Sequence, residues 1–184
     1  MSKVTEQLFL GNLYDAKDFN QLKKNGITHI LCAAGELKPM FPQHFQYLAI
    51  EGASDHPGYD LSKKFDQAAD FIHRGVISGG VVLVHCAAGV SRSTSCLLAY
   101  LMKHRGMSLH DAFNLCKKAR PIVNPNDGFK RQLQLYERRL RNTSTTPPSN
   151  NQANRSDAML MKKLAMQRER SKSILESLSM ESAR

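Results

Sequence analysis

The stretch that decides the fold is Val81-Val82-Leu83-Val84-His85-Cys86-Ala87-Ala88-Gly89-Val90-Ser91-Arg92-Ser93. Its first four residues are aliphatic, which is typical of a buried β-strand that delivers His85 and Cys86 to its carboxyl end. Small or uncharged residues follow, including Gly89, so the chain can curl with backbone N–H groups facing inward. A helix is predicted to begin near Arg92. Because ligands of open α/β sheets bind outside the carboxyl ends of strands, this turn is the first candidate site.

The turn combines the features of an anion site. Inward N–H groups, the amino end of a helix and a guanidinium favour a doubly charged phosphate. The residues expected to bind it are Ala87, Ala88, Gly89, Val90, Ser91 and Arg92. Thiols ionise more readily at helix N-termini and beside cations, so Cys86 is predicted to attack phosphorus and form a phosphocysteine. Arg92 would bind two phosphate oxygens at once, and this chemistry needs no metal ion.

Up to about residue 142 the chain alternates between short apolar runs and helical patterns. Strands are predicted at 8–10, 29–32, 47–50 and 81–85. Helices are predicted from Asp15 as N-cap to Asn25, over 61–74 with Asp60 as N-cap, from Arg92 to before Gly106, from Ser108 to before Pro121, and over 128–141. This order predicts an α/β fold with a central, mostly parallel sheet of four to five strands flanked by helices. The phosphate-binding loop would lie between a strand and a helix N-terminus.

The full string, a strand followed by His-Cys-x-x-Gly-x-Ser-Arg-Ser and a helix, is far more specific than a cysteine and an arginine at that spacing. It resembles the signature loop of the dual-specificity branch of the cysteine-based protein tyrosine phosphatases, in particular its small (atypical) members. Other similar segments are Ala99-Tyr100-Leu101-Met102, Arg120-Pro121-Ile122 and Pro125-Asn126-Asp127-Gly128-Phe129. The resemblance covers about residues 3–141 and implies a protein phosphatase that uses neither a metal nor another cofactor.

A second catalytic group must protonate the leaving oxygen, and the loop over 51–60 offers Glu51, Asp55 and Asp60. Asp60 is expected to cap a helix, and Glu51 lies too close to a strand end. Asp55 lies in mid-loop, and its separation of 31 residues from Cys86 is similar to that of the family's general acid. We therefore predict that Asp55 is the acid and later the base toward water.

The resemblance gives three residues supporting roles. Ser93 would help the thiolate to leave in the second step, or would only cap the helix. His85 would orient the loop by hydrogen bonds, or would be a packed core histidine. Asn126 would brace the signature loop, although an asparagine before Asp-Gly is also typical of a turn.

The four cysteines form no C-x-x-C pair, and their spacing predicts neither a zinc site nor a disulfide framework. Cys96 and Cys116 are expected to be small buried residues. Cys32 ends a strand that is expected to neighbour the Cys86 strand, so the two are a candidate disulfide under oxidation.

The formal net charge is +10, which attracts phosphorylated or acidic partners and equally nucleic acid or anionic membrane. There is no zinc finger and no run of five Lys or Arg residues, so no nucleic-acid partner is expected. No signal peptide is recognisable, and no apolar run approaches the roughly 20 residues of a membrane span. We expect the protein in the cytoplasm, the nucleus or both.

A change in composition near residue 142 predicts a catalytic domain over 1–142, followed by a polar linker and a basic tail over 143–184. In the tail Met161, Leu164, Leu175 and Leu178 lie roughly on one helical face, which Arg168 and Ser171 interrupt. The tail is therefore either a partner-binding helix or a solvated segment.

Residues 87–91 carry no charge. The family's phospholipid phosphatases tend to place lysines there, and its RNA 5′-phosphatases carry a different loop. Proteins that carry phosphotyrosine or phosphoserine/phosphothreonine are thus the favoured substrates. That mitogen-activated kinases are among these substrates is implied by the resemblance alone. A phospho-binding pseudophosphatase is the main rival interpretation, against which the intact Cys86, Arg92 and Asp55 argue. Arg92 and Ser93 at this spacing fit phosphate chemistry better than the chemistry of a sulfurtransferase.

Overall fold

A five-stranded sheet forms the centre of residues 1–145, which are the part of the chain that the computed structural model describes. The strands are β1 (Ser2–Thr5), β2 (Leu8–Gly11), β3 (His29–Cys32), β4 (Gln46–Ala49) and β5 (Val82–His85). Their order is β1-β2-β5-β3-β4, and every neighbouring pair is parallel except the antiparallel pair β1 and β2. The predicted α/β fold with a mostly parallel sheet is confirmed.

Helices pack on both faces of this sheet. They are α1 (Leu13–Lys17), α2 (Phe19–Lys24), α3 (Phe65–Ile77), α4 (Arg92–Arg105), α5 (Leu109–Ala119) and α6 (Asp127–Thr145), with a short 3₁₀ turn at Ser62–Lys64 before α3. Within residues 1–145 no helix has the length and apolar character needed to cross a membrane.

Alternation along the strands sorts the core into two layers. Leu83 of β5 packs with Phe9 and Ile30 against the side of α1 and α2, whereas Val82 and Val84 face α3 to α6. All three β5 residues are fully buried. A parallel strand covered on both faces reads as a continuous apolar run, which is why β5 stands out in the sequence.

The parallel register brings the loops of the candidate site to one edge of the sheet. Gly11 of β2 and Cys32 of β3 both lie opposite His85 of β5, and Ala49 of β4 lies opposite Cys32. The segments that follow these four residues therefore leave the sheet side by side, although they are far apart in sequence.

The prediction of one long first helix capped by Asp15 is wrong. Asn12 is the N-cap of α1, and its side-chain oxygen accepts the N–H of Asp15 while the Asp15 carboxylate accepts the N–H of Asn12. Asp18 then caps α2, accepting the N–H of Gln21. Two caps in close succession divide the predicted helix into two short ones.

The prediction that Asp60 caps the next helix is also wrong. The chain enters α3 through the 3₁₀ turn, which has no side-chain cap. Asp60 Oδ1 instead accepts a hydrogen bond from Ser62 Oγ at 2.5 Å, and the N–H of Ser62 is held by Gln132 of α6. A tertiary contact thus replaces the local cap that the sequence suggested.

Both ends of the described region extend beyond the predictions. Strand β1 was missed because it is a four-residue edge strand that contains the polar Lys3 and Thr5. Helix α6 continues to Thr145, past the boundary predicted at 142. The remainder of the predicted linker, from residue 146, and the predicted helical face of the tail lie outside the described residues.

Leu97→Ala in α4 is expected to lower the free energy of unfolding by about 2–5 kcal/mol, because it leaves a cavity where the side chain is 0 % exposed. Leu135→Ala is the matched control, since that leucine of α6 is 63 % exposed and its loss should cost no more than about 0.5 kcal/mol. Urea unfolding curves measure both. Equal losses in the two variants would contradict the described core.

Candidate active site

The loop between β5 and α4 is shaped by contacts made to the outside of its backbone. Four consecutive carbonyl oxygens each accept a hydrogen bond from a different nitrogen. The pairs are Ala87 O with Leu13 N (3.1 Å), Ala88 O with Arg120 Nη2 (3.1 Å), Gly89 O with Arg120 Nε (2.8 Å) and Val90 O with Asn124 N (3.0 Å). All four carbonyl groups are therefore turned away from the interior of the loop.

The N–H groups of the same peptides face the interior. In a trans peptide the N–H points opposite to the C=O, and residues 1–145 contain no cis peptide bond. The outward carbonyls of residues 87–90 consequently direct the N–H groups of residues 88–91 inward. Gly89 N shows this directly, because it donates to Cys86 Sγ at 3.2 Å. The predicted phosphate-binding loop has the geometry of an anion cradle.

Cys86 lies at the base of this cradle and is 1 % exposed. Besides the N–H of Gly89, its sulfur contacts Ser93 Oγ at 3.2 Å in the first turn of α4. When the sulfur is a thiolate, both contacts are hydrogen bonds donated to it. The structure therefore brings together Cys86 and Ser93, as the sequence predicted.

Arg92 is the first residue of α4 and is 6 % exposed. Its Nη1 donates to both carboxylate oxygens of Glu36, each at 2.8 Å, and to Ala53 O at 2.9 Å. Its Nε is buried, has no hydrogen-bond partner within residues 1–145, and lies 3.7 Å from Asp55 Oδ2. The guanidinium thus keeps an unused donor beside the cradle.

Glu36 was not among the residues predicted from the sequence. It lies in the loop after β3, whose carboxyl end is in register with that of β5, so the strand-end rule used for Cys86 could have found it. Burial alone would raise the pKa of Glu36, but its own backbone N–H and the hydrogen bonds and charge of Arg92 outweigh burial. Its pKa therefore lies below the ordinary value of a glutamate, and the side chain is anionic at neutral pH.

Asp55 is held at the mouth of the cradle. Its Oδ1 accepts hydrogen bonds from Ser91 Oγ at 2.7 Å and from Asn126 Nδ2 at 2.9 Å. Among the acidic candidates of the 51–60 loop, Asp55 is the one described in contact with Arg92. The structure thus brings together Asp55, Asn126 and the signature loop.

Asn126 contacts the signature loop, as the resemblance implied, and precedes a helix instead of lying in the turn that the sequence offered as the alternative. Its Oδ1 accepts the N–H of Phe129 at 3.0 Å and so caps the start of α6. Its backbone N–H donates to Ser91 Oγ at 3.1 Å, and its side-chain amide donates to Asp55. One asparagine therefore connects the start of α6, the signature loop and the Asp55 carboxyl group.

Comparison with known proteins agrees with this geometry. The family model described as dual specificity phosphatase, catalytic domain, matches residues 8–139. The chain belongs to the dual specificity phosphatase family. The resemblance seen in the signature loop is therefore confirmed.

Among curated relatives, the chain is 46 % identical over 139 residues to MAP kinase phosphatase with leucine-rich repeats protein 3 of Dictyostelium discoideum, covering 76 % of this chain and 16 % of that protein. It is 43 % identical over 136 residues to mouse dual specificity protein phosphatase 15, covering 74 % of this chain and 57 % of the relative. The chain thus spans only part of the length of these two relatives.

A solved structure is also similar to this chain. The human tyrosine phosphatase-like serine/threonine/tyrosine-interacting protein matches with a TM-score of 0.71 and 39 % identity, covering 75 % of this chain and 95 % of that one. Likeness to the family therefore extends to a protein that is described only as phosphatase-like, and support for activity must come from the site.

His85 is an uncharged, buried member of this dual specificity phosphatase site. It is 4 % exposed, and its Nδ1 has no hydrogen-bond partner within residues 1–145. Burial lowers the pKa of His85 to about 4, against smaller raising effects of a hydrogen bond with the Cys86 backbone and of the Asp15 carboxylate. The orienting role of His85 stays a prediction.

The other cysteines are buried free thiols. Burial raises the pKa of Cys116 to about 12 and also raises that of Cys96. Burial also raises the pKa of Cys32 to about 11, and the nearby Cys86 adds to the rise. Cys32 lies opposite His85 in the sheet, next to Cys86, and a disulfide between Cys32 and Cys86 stays a prediction.

Gly89→Ala is expected to reduce kcat/KM by about 10²-fold or more, because the cradle would have to open. Gly89 has a φ of 68°, and a Cβ there would lie 2.4 Å from Gly11 O. Gly106→Ala is the matched control: its φ is 64°, yet a Cβ would meet nothing within 4 Å. It should cost about 1 kcal/mol of stability and leave kcat/KM unchanged. If both variants lost kcat/KM equally, the loss would come from backbone strain at a positive φ and not from the clash of the new Cβ with Gly11 O.

His85→Asn is expected to flatten the pH dependence of stability. The pKa of His85 is about 4 in the folded chain and about 6.5 in the unfolded chain. The stability that the neutral, buried His85 contributes is therefore complete above about pH 6.5 and is lost as the pH falls toward about 4. Between about pH 7 and 5 the wild type should lose about 2 kcal/mol more unfolding free energy than the variant. Urea titrations at both pH values measure this. With the exposed His110→Asn as control, parallel profiles for His85→Asn and wild type would contradict the prediction.

Proposed function

We propose that this chain is a metal-independent phosphoprotein phosphatase that works through a phosphocysteine on Cys86. The observation that carries the proposal is the position of the Cys86 sulfur, which lies at the base of a loop with inward N–H groups and contacts Gly89 N and Ser93 Oγ. Donors at the amino end of a helix stabilise both a thiolate and the charge of a bound phosphoryl group.

In the first step the Cys86 thiolate attacks phosphorus, a sulfur–phosphorus bond forms and the bond from phosphorus to the substrate oxygen breaks. Arg92 Nε lies buried beside the cradle and has no hydrogen-bond partner among the described residues, which supports a role in binding an equatorial oxygen. Asp55 gives its proton to the leaving oxygen. Its Oδ1 is occupied by two hydrogen bonds, so Oδ2 is the oxygen that carries the proton.

In the second step water attacks phosphorus and the sulfur–phosphorus bond breaks. Asp55, now a carboxylate, takes the proton of the water. The sulfur leaves as a thiolate, and Ser93 Oγ at 3.2 Å is placed to donate a hydrogen bond to it. Cys86 then regains the state in which it began.

The uncharged residues 87–91 support phosphoproteins as substrates, with phosphotyrosine and phosphoserine/phosphothreonine both accepted. The name of the Dictyostelium relative, a MAP kinase phosphatase, supports mitogen-activated kinases as one substrate class. We further propose that the protein acts in the cytoplasm, the nucleus or both. No contact to nucleic acid is part of the proposal.

A phospho-binding pseudophosphatase is the second candidate, and the similarity to a phosphatase-like interacting protein favours it. Such a protein would bind phosphorylated partners without turnover. The placement of Asp55, which is 3.7 Å from Arg92 and is held by two donors, supports the enzyme instead. Activity on phospholipid or RNA 5′-phosphate remains an alternative substrate class, against which the neutral loop argues.

The wild type is expected to hydrolyse aryl phosphates in EDTA, and Cys86→Ser should be inactive because it lacks the thiolate. Asp55→Asn should lose about 10²-fold or more in kcat with phenols of high pKa as leaving groups. The loss should shrink as the leaving phenol becomes more acidic, because such a phenolate needs no proton. Steady-state kinetics over a series of aryl phosphates measures this.

Glu51→Gln is the control for Asp55→Asn, since Glu51 is an exposed carboxylate of the same loop. Its kinetics should match the wild type. If the reduced wild type binds phosphopeptide without hydrolysing it, the protein is a phospho-binding module and not an enzyme. An Asp55→Asn loss that does not vary with the leaving group would remove Asp55 from the role of acid.

A further inference from the structure

We propose that Tyr14 and Ile122 are specificity-determining residues that bind a large apolar side chain next to the phosphorylated residue of the substrate. This rests on the proposed phosphatase function and names the kind of sequence that would surround the phosphate. Within residues 1–145 the exposed large apolar residues are Tyr14, Met40, Ile122 and Leu135. Tyr14 is 78 % exposed and Ile122 is 56 % exposed, and both lie in segments that hydrogen-bond to the signature loop.

Tyr14 is directed outward by the short helix α1. It follows Leu13, whose N–H donates to Ala87 O of the signature loop at 3.1 Å. Residues two apart on a helix lie on nearly opposite sides, and Ala16 is the buried residue of α1. The Tyr14 side chain therefore faces solvent, one residue along the chain from a direct contact with the loop.

Ile122 is presented by the turn that follows α5. The N–H of Val123 donates to Arg120 O at 3.1 Å, which closes a turn with Ile122 near its centre. Val123 is fully buried, so the core anchors the turn while Ile122 faces solvent. The N–H of Asn124 then donates to the signature loop at 3.0 Å. The turn is thus fixed to the same loop as Tyr14.

These two side chains belong to one side of the cradle, and the carboxylates of the site belong to the other. A Cβ on Gly89 would lie 2.4 Å from Gly11 O and 2.9 Å from Arg120 Nη2, so the end of β2 and the start of the turn meet there. In the sheet β2 and β3 flank β5 on opposite sides. Glu36 and Asp55 follow β3 and β4, so they approach the cradle from the side away from α1.

An apolar rim therefore borders the cradle on the side of α1. Its side chains carry no charge and are exposed or half-buried. They are Leu13, Tyr14, Ala88, Val90, Pro121 and Ile122. A phosphorylated residue bound in the cradle brings its chain neighbours to this rim, because adjacent Cα atoms are about 3.8 Å apart. An apolar neighbour would lose contact with water there, which favours binding, whereas a polar neighbour would not gain in this way.

The test uses two phosphotyrosine peptides that differ only at the two residues next to the phosphotyrosine, which are leucine in one peptide and serine in the other. Fluorescence anisotropy measures both Kd values on Cys86→Ser, which lacks the nucleophile and leaves the peptides intact. We expect the leucine peptide to bind about tenfold more tightly, and Tyr14→Ser combined with Ile122→Ser to reduce this ratio to under about threefold. Leu135→Ser, which changes an exposed leucine of α6, is the control and should leave the ratio unchanged.

Tyr14→Phe and Ile122→Leu keep the apolar area and should keep the ratio, which separates lost apolar contact from a disturbed loop. Thermal melts establish that the double variant is folded, and the single variants are compared in the same way if it is not. A Cys86→Ser chain that binds both peptides equally, or neither, would overturn the proposal, and so would a double variant that retains the full ratio.

Light scattering at the same concentration examines whether the rim joins two copies of the chain instead. A dimer that the double variant dissociates would also overturn the proposal. Since peptide binding needs no turnover, an inactive wild type would count against the proposed function and would leave this comparison intact. Conversely, a wild type that hydrolyses aryl phosphates while the peptides bind equally would remove the apolar rim and leave the proposed function standing.

Discussion

The outward orientation of four consecutive carbonyl groups determines the shape of the loop around Cys86. Their donors are the backbone at the start of α1, the Arg120 side chain and the backbone of Asn124. These donors lie far from the loop in sequence, so the inward set of N–H groups is a tertiary feature that a short peptide of the same sequence could not form. The register of β2 with β5, which places Gly11 opposite His85, is what brings α1 within reach.

The charges of the site follow from the same architecture. A buried guanidinium is costly without a partner, and here the Glu36 carboxylate supplies one before any phosphate arrives, while the Asp55 side chain lies farther away. They are not equivalent, since Glu36 binds Nη1 at hydrogen-bond distance while Asp55 stays 3.7 Å from Nε. Glu36 therefore stabilises Arg92 throughout, whereas Asp55 leaves the edge of the guanidinium toward the cradle open.

The sequence was informative where local pattern and chemistry coincide. The buried run of β5, the turn with Gly89 and the start of α4 at Arg92 were all readable, and so was Asp55 in the loop after β4. Local caps were misread where two signals compete: Asp15 follows Asn12, which takes the capping position, and Asp60 lies beside a turn that is held by α6. Glu36 follows the end of β3, where the strand-end rule could have found it, but nothing local shows that its partner is Arg92. The contacts of Arg120 with the signature loop likewise have no local pattern, so Arg120 was seen only as part of a similar segment.

Ser91 bears on whether the site turns substrate over or merely binds it. It occupies the N-cap position of α4, where a serine ordinarily accepts a backbone N–H and stabilises the helix by about 1 kcal/mol. Its hydroxyl accepts no N–H of α4; it donates to Asp55 and accepts the backbone N–H of Asn126. The amino end of α4 thus stays open for an anion, and the side chain that would have closed it holds Asp55, the proposed acid. A binding module needs the open helix end but has no use for a tethered acid, so the presence of both at one residue favours catalysis.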